Sequence, residues 1–479
     1  MAFNSFHFGL FFSAIYLACL FLPHRSQNRF LLSASWLFYA SWNPGFLALI
    51  LITTALDYRA ARAMEDGGPS SPKKKWLVLS LAGNLGILGF FKYFNFFTFN
   101  VSALAGIAGF PVHPLVLKMA LPVGISFYTF QSLGYVLDVY RGKIKPEKNF
   151  WDYALFVSFF PLLLAGPIER ASNLLAQIKI PRLISGAGFS EGARAVLWGL
   201  FKKIVVADRL AVYVNAVFEN TGGHSGATLW AAACLFVFQL YADFSAYSDI
   251  ARGIAKMLGF HGVRNFNLPL FAVNIQDFWN RWHISLSTWF RDYVFTPLFL
   301  KLSGLPSLAR LCVSILLTMT VIGLWHGPAW HYVAFGFFEG LLLAGYALAR
   351  PWLKGVNPRT EPLRKLWIAF RVLCMFQLTA FGLMLFRVNN LGEAGIVLKK
   401  IVSSPWPFFW AGDFREQLLY GLAGIAVLLL MENPARVKPS AEVLDAGSPV
   451  LRWTFYIAAL LGISLFGVYD GGSFIYFRF

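Results

Sequence analysis

Residues 308 to 325 read LARLCVSILLTMTVIGLW, an apolar run close to the roughly 20 residues a helix needs to cross the hydrocarbon of a bilayer. It delivers His326 at or near membrane depth, where an ionisable side chain is costly and marks a functional candidate. The bland alternative for a lone histidine is a satisfied structural residue. Working outward, similar runs recur near 6–22, 76–91, 121–140, 227–241, 332–349, 366–386, 417–431 and 452–469. Several are short, which predicts tilted or re-entrant helices beside the spanning ones.

Composition points the same way. The 479 residues are 57% hydrophobic and 13% charged, with a mean hydropathy of +0.59, whereas soluble domains carry roughly a quarter charged residues. No stretch shows the alternating pattern of a membrane barrel, so backbone groups must be bonded within each segment. The expected class is therefore all-α: one polytopic helical bundle over residues 1–479, with re-entrant and amphipathic helices. The N-terminal run lacks a basic region and a small-residue cleavage site, and reads as a retained first helix.

The formal charge of +18 does not imply nucleic acid, because Lys and Arg are dispersed in small groups between apolar runs. They read as topology signals: loops holding Arg59 to Lys75, Arg141 to Lys148, Lys179 to Arg209 and Arg350 to Arg371 belong on the cytoplasmic side. By the same rule the junction after His326 faces outward. Cys19, Cys234, Cys312 and Cys374 sit singly in apolar surroundings, with neither disulfide nor metal spacing.

Two regions interrupt the pattern. Asn43, Pro44 and Gly45 break an apolar stretch into either two short dipping helices or one broken helix. Residues 150–168, with Pro161, Gly166 and Pro167, form a candidate re-entrant element that ends at Glu169 and Arg170. From 242 to 300 the chain mixes Asp243, Asp249, Arg252, Arg264, Asp277, Arg281, Arg291 and Asp292 with many aromatics. Asp243 and Asp249 with Arg252, and Arg291 with Asp292, are expected to be structural ion pairs or caps.

A second histidine, His283, lies in FWNRWHISLSTWFRDY, where Phe278, Trp282, Leu286, Trp289 and Tyr293 recur at helical spacing. The stripe alone reads as packing. His331, five residues beyond His326, forms no evident metal site with it, since no third ligand is apparent.

Taken together, LPVGISFYTFQSLGYVLDVYRG (121–142), AGPIER (165–170), DFSAYSDIARGIAKMLGF (243–260), NFNLPLFAVNIQDFWNRWHISLSTWFRDY (265–293), GLWHG (323–327) and FIYFRF (474–479) resemble the membrane-bound O-acyltransferases. The resemblance is to the branch of bacterial alginate O-acetyltransferases and teichoic-acid D-alanyl transferases. It departs in YVFTPLFLKLSG, which lacks a Gly-Asn-Arg-rich loop, and at Glu339, where a histidine is common.

The resemblance implies His326 as the catalytic histidine, with His283 beside it, and Asn280 and Trp325 along the channel of the acyl donor. It implies no bound cofactor or metal, an acyl-CoA or acyl-carrier-protein thioester as donor, and a bacterial inner membrane location. The acceptor would be an exported polysaccharide or cell-wall polymer, reached directly or through a periplasmic SGNH-type relay protein, in contact with membrane lipid and without nucleic acid. Alginate-type O-acetylation is the favoured reading, with D-alanyl transfer or a polytopic transporter as alternatives. A neutral, poorly hydrated imidazole suits removal of a hydroxyl proton during attack on a thioester. The developing oxyanion needs a donor, for which His283, Asn280 and the Trp325 indole are candidates.

Overall fold

The computed structural model describes residues 1–66, 72–353, 358, 360–409, 412–432, 448–469, 472 and 474–475. Among them the regular elements are helices, and no strand occurs. Among the described residues, five helical stretches are long and apolar enough to cross a membrane: Lys73–Ile107, Gly226–Met257, Ser307–His326, Trp330–Leu353 and Glu361–Arg387. Phe6–Phe21 and Arg452–Phe466 are shorter apolar helices. Lys354, Arg359 and the last four residues of FIYFRF lie outside the described residues.

The described residues fall into two compact units, Met1–Ala193 with Ala251–Val263, and Arg194–Ile250 with Arg264–Phe479. The first unit holds α1 (Phe6–Phe21), α2 (His24–Ala40), α3 (Pro44–Asp66), α4 (Lys73–Leu88), α5 (Phe94–Ile107), α6 (Ile125–Tyr140), α7 (Phe150–Ser158), α8 (Phe160–Leu163) and α9 (Leu174–Ile178). The break after α2 resolves into two helices. Asn43 Oδ1 accepts from Gly45 N at 2.8 Å, and Pro44 opens α3 with the backbone angle a helix start requires.

The run at 76–91 is longer than its hydropathy indicates. A π turn at Gly89–Tyr93 joins α4 to α5 in one stretch of 35 residues. Along this pair, the buried Asp57 carboxylate accepts from Ser80 Oγ at 2.6 Å and Asn84 Nδ2 at 2.8 Å, which ties α3 to α4 through polar groups that lipid could not satisfy.

The 150–168 segment is irregular, as its prolines require. Phe159 leaves helical geometry with ψ 103, separating α7 from the single turn of α8. It is buried within its unit, so the backbone is enclosed by protein. Gly124, at φ +77 before α6, makes this approach feasible: a Cβ there would lie 2.9 Å from the Leu163 carbonyl oxygen. Glu169 of AGPIER accepts from Val263 N and Asn173 Nδ2, each at 2.7 Å, and so binds the start of one loop to the end of another.

α10 (Gly186–Phe201) and α12 (Gly226–Met257) each carry residues of both units. The second unit adds α11 (Asp208–Phe218), α13 (Ile275–Arg281), α14 (Ile284–Phe290), α15 (Thr296–Lys301), α16 (Ser307–His326), α17 (Trp330–Leu353), α18 (Glu361–Arg387), α19 (Leu391–Ser403), α20 (Arg415–Met431) and α21 (Pro449–Phe466). α16 and α17 pack as a hairpin through small residues. A Cβ on Gly323 would sit 2.8 Å from Gly336 Cα and clash with the Tyr332 carbonyl. Helices in lipid associate through such close backbone approach. Gly336→Leu is therefore expected to lower the thermal midpoint of the detergent-solubilised protein by an overpacking cost of about 1–3 kcal/mol or more. A midpoint equal to wild type would show that the hairpin tolerates separation.

Sequence reading ends one helix too early at 241. α12 continues through Asp243 and Asp249 to Met257 because their partners are not Arg252 but two buried lysines in the π turn Lys202–Ala207. Lys203 Nζ meets Asp208 Oδ1 and Asp243 Oδ1, both at 2.8 Å. Lys202 Nζ meets Asp249 Oδ2 at 2.6 Å and Ser245 Oγ at 2.8 Å. The C-terminal segment joins this network, since Lys203 donates to the Gly472 carbonyl at 3.2 Å and Ile475 N donates to Asp243 Oδ2 at 2.8 Å. Arg291 and Asp292 do pair, at 3.0 Å on a half-exposed edge.

Candidate active site

His326 is the last residue of α16. Gly327, at φ −170, is extended and ends the helix, so the side chain sits where the chain turns toward α17. It is buried at 5% exposure among Trp325, Phe386 and Phe335, with ring centroids 4.8, 5.1 and 6.0 Å away. An imidazole enclosed by three rings is shielded from bulk water, the setting in which a neutral base is most effective.

His283 does not lie on a continuous helix. The aromatic stripe that suggested one is divided: α13 ends at Arg281, α14 begins at Ile284, and His283 between them adopts the left-handed conformation φ 42, ψ 53. The periodic contacts survive on each side, with Phe278 stacked on Trp282 at 5.5 Å and Trp289 tilted against Tyr293 at 5.0 Å. A non-glycine residue in this region is strained and is held there by its surroundings.

Asn265 supplies the hold. Its carbonyl oxygen accepts from Ile284 N at 2.9 Å, and its Oδ1 accepts from Ser285 N at 3.3 Å and Ser285 Oγ at 2.9 Å. The same Oδ1 lies 3.1 Å from His283 Nδ1. An oxygen already accepting a backbone N–H requires the histidine nitrogen to donate, which places the proton on Nδ1 and the lone pair on Nε2. Burial, with His326 beside it, pushes the His283 imidazole well below the usual histidine value, so it is neutral at physiological pH. Asn265 opens the 265–293 motif, but nothing in the motif marks it for this part. Its partners lie 18 to 20 residues on, beyond any local signal.

The Trp325 indole stands between the two histidines, with ring centroids 6.1 Å from His283 and 4.8 Å from His326. His283, Trp325 and His326 thus form one buried cluster. Asn280 lies apart from it. The residue is exposed and lines a cavity of about 430 Å³ with Gln276, Ser287, Thr288, Arg291 and Thr318 as its polar part. Ile284, next to His283, belongs to the same wall. Glu339 also adjoins this region: fully buried on α17, it accepts from Trp279 Nε1 at 3.1 Å.

A second, more polar cavity of about 450 Å³ approaches the cluster from elsewhere. Its wall includes Asp208, Asn215, Gln239, His331, Tyr332, Phe386 and Arg387, and Phe386 is the ring packed on His326. Asp208 Oδ2 and Gln239 Oε1 are buried acceptors that take no hydrogen bond among the described residues. His331 is buried. Its Nδ1 donates to the Leu385 carbonyl at 3.1 Å, which leaves Nε2 as the acceptor nitrogen. No group of three or more His, Cys, Asp or Glu is placed to hold a metal ion among the described residues.

The model of the membrane-bound O-acyltransferase family matches residues 147–386, which include all four candidate residues. The chain belongs to the membrane-bound O-acyltransferase family. This O-acyltransferase is 38% identical to a probable alginate O-acetylase AlgI of Pseudomonas putida over the full length of both chains. It is 33% identical to a peptidoglycan O-acetyltransferase of Helicobacter pylori, covering 78% of this chain and 73% of the relative. It is 26% identical to a teichoic acid D-alanyltransferase of Bacillus subtilis, covering 58% and 70%. The membrane-bound O-acyltransferase is thus a membrane enzyme that transfers acyl groups.

Proposed function

We propose that this enzyme moves an acetyl or similar short acyl group from a cytoplasmic thioester to hydroxyl groups of an extracytoplasmic polysaccharide, with alginate-type O-acetylation as the favoured chemistry. The donor is acyl-CoA or an acyl-carrier protein, the location is the bacterial inner membrane, and the whole chain acts as one membrane domain. A periplasmic SGNH-type protein is the relay where transfer is indirect. The observation that carries this reading is the buried cluster His283, Trp325 and His326, with the Asn280 cavity at the His283 end and the polar cavity behind Phe386 at the His326 end.

In this reading the pantetheine arm of the donor lies along the Asn280 cavity. His326 takes the proton from the attacking hydroxyl, which adds to the thioester carbonyl. The Trp325 indole N–H then steadies the oxyanion, and the thiolate leaves with the proton. His283 holds its proton on Nδ1 against Asn265, so its Nε2 is an acceptor and suits orienting a donor group more than stabilising negative charge. The polar cavity, with the unsatisfied oxygens of Asp208 and Gln239, suits an approaching hydroxyl-bearing acceptor.

His331 serves here as a cavity wall residue bonded to Leu385, so His331→Ala is expected to keep substantial transfer, within about a factor of ten of wild type. A loss equal to that of His326→Ala would move the general base to His331. Sidedness is tested with single cysteines in a background lacking Cys19, Cys234, Cys312 and Cys374. A membrane-impermeant thiol reagent is expected to label positions 328–330 in intact cells, and positions 262–264 only after permeabilisation. The reverse pattern would overturn the orientation.

A further inference from the structure

Near the facing ends of α17 and α18 a cavity of about 420 Å³ collects three donor side chains whose hydrogen-bonding capacity is not used up among the described residues. Arg350 closes α17, and Trp367 and Arg371 lie on the first turns of α18. The Trp367 indole nitrogen is buried and has no acceptor among the described residues. Arg371 Nε donates to the Val273 carbonyl at 3.1 Å, which orients its guanidinium and leaves the two terminal amines for another group. No acidic side chain forms an ion pair with Arg350 or Arg371 among the described residues.

Apart from Asn274, whose Oδ1 accepts from Asp277 N, and Tyr346, the rest of the lining is apolar. Leu342 precedes Arg350 by two helical turns and Leu378 follows Arg371 by two, so the apolar walls run about 10 Å from the charged end. A soluble anion would satisfy the arginines and waste these walls. A lipid tail would use the walls and leave the donors idle. One molecule with both parts fits the whole cavity.

We propose that this cavity binds an anionic phospholipid of the cytoplasmic leaflet, with its phosphodiester on Arg350, Arg371 and the Trp367 N–H and an acyl chain along Leu342 and Leu378. Arginine matches phosphate with paired, charge-assisted bonds. The loop charges that include Arg350, Arg364, Lys365 and Arg371 put this end at the cytoplasmic face, where anionic lipids concentrate and basic pockets between helices hold their headgroups. The site is independent of the acyl-transfer cluster.

Native mass spectrometry on the delipidated full chain tests it, with phosphatidylglycerol, phosphatidylcholine and coenzyme A as probes. Wild type is expected to retain phosphatidylglycerol at concentrations about tenfold below those needed for phosphatidylcholine, and R350Q/R371Q to lose that preference. Trp367→Phe, which keeps the ring and removes only the donor, is expected to weaken retention about three- to tenfold, and carries the test should the double variant fail to fold. An unchanged preference in either variant would overturn the proposal. So would displacement of phosphatidylglycerol by coenzyme A, which would assign the arginines to the phosphates of a soluble donor.

Discussion

Replacing His326 with alanine is expected to lower acyl transfer by at least about 10²–10⁴-fold, the range general-base catalysis contributes, while expression and membrane insertion stay near wild type. The side chain ends α16, and the surrounding rings of Trp325, Phe335 and Phe386 supply the packing. Loss of the imidazole leaves a small aromatic-walled space in place of a base. Polymer acylation measured in cells carrying His326→Ala, with membrane levels checked by immunoblot, reads the effect. Acylation near wild type would remove His326 from the chemistry.

The largest structural effect is expected at Lys203. This buried ammonium joins Asp208 and Asp243 at 2.8 Å each. Lys203→Met keeps most of the volume and leaves two buried carboxylates without their counter-charge. Breaking a buried pair by removing one partner costs about 3–5 kcal/mol, more than either ion's replacement by a well-packed apolar group. The variant is therefore expected to lose most of its monodisperse detergent-solubilised protein, with a thermal midpoint well below wild type. Adding Asp243→Asn to Lys203→Met should recover part of the loss, because one of the stranded charges is gone. A single variant that melts with wild type would show that the lysine is not needed to hold α12 against the π turn at 202–207.

Much of the architecture was legible in the sequence because lipid permits few solutions. The runs at 308–325, 332–349 and 366–386 became α16, α17 and α18 with only a few residues of adjustment. The GLWHG motif placed His326 at a helix end because Gly327 cannot easily extend a helix into Pro328. What stayed hidden depends on partners far along the chain. Lys202 and Lys203 looked like ordinary cytoplasmic charges, yet Asp249 and Asp243, their partners on α12, lie 47 and 40 residues away. The same pairing explains why α12 outruns its apolar window. At His283 the aromatic spacing read straight through a helix break, since two short helices preserve the period, while the cap that produces the break comes from Asn265. The polar cavity of Asp208, Gln239 and His331 had no local signature at all, because it is assembled from α11, α12, α17 and the turn after α18.

In the proposed reaction, acyl transfer runs through the His283, Trp325 and His326 cluster from a donor on one face to an acceptor on the other. Sealed vesicles containing the purified, uniformly oriented enzyme test it most directly, with a radiolabelled acetyl thioester confined to the cytoplasmic face and an unacetylated polyuronate, with any relay protein required, confined to the opposite face. Label is expected to appear on the acceptor while the thioester's carrier stays on its own side, and to vanish with His326→Ala. Transfer that occurs only when donor and acceptor share a face, or that persists without His326, would contradict the account.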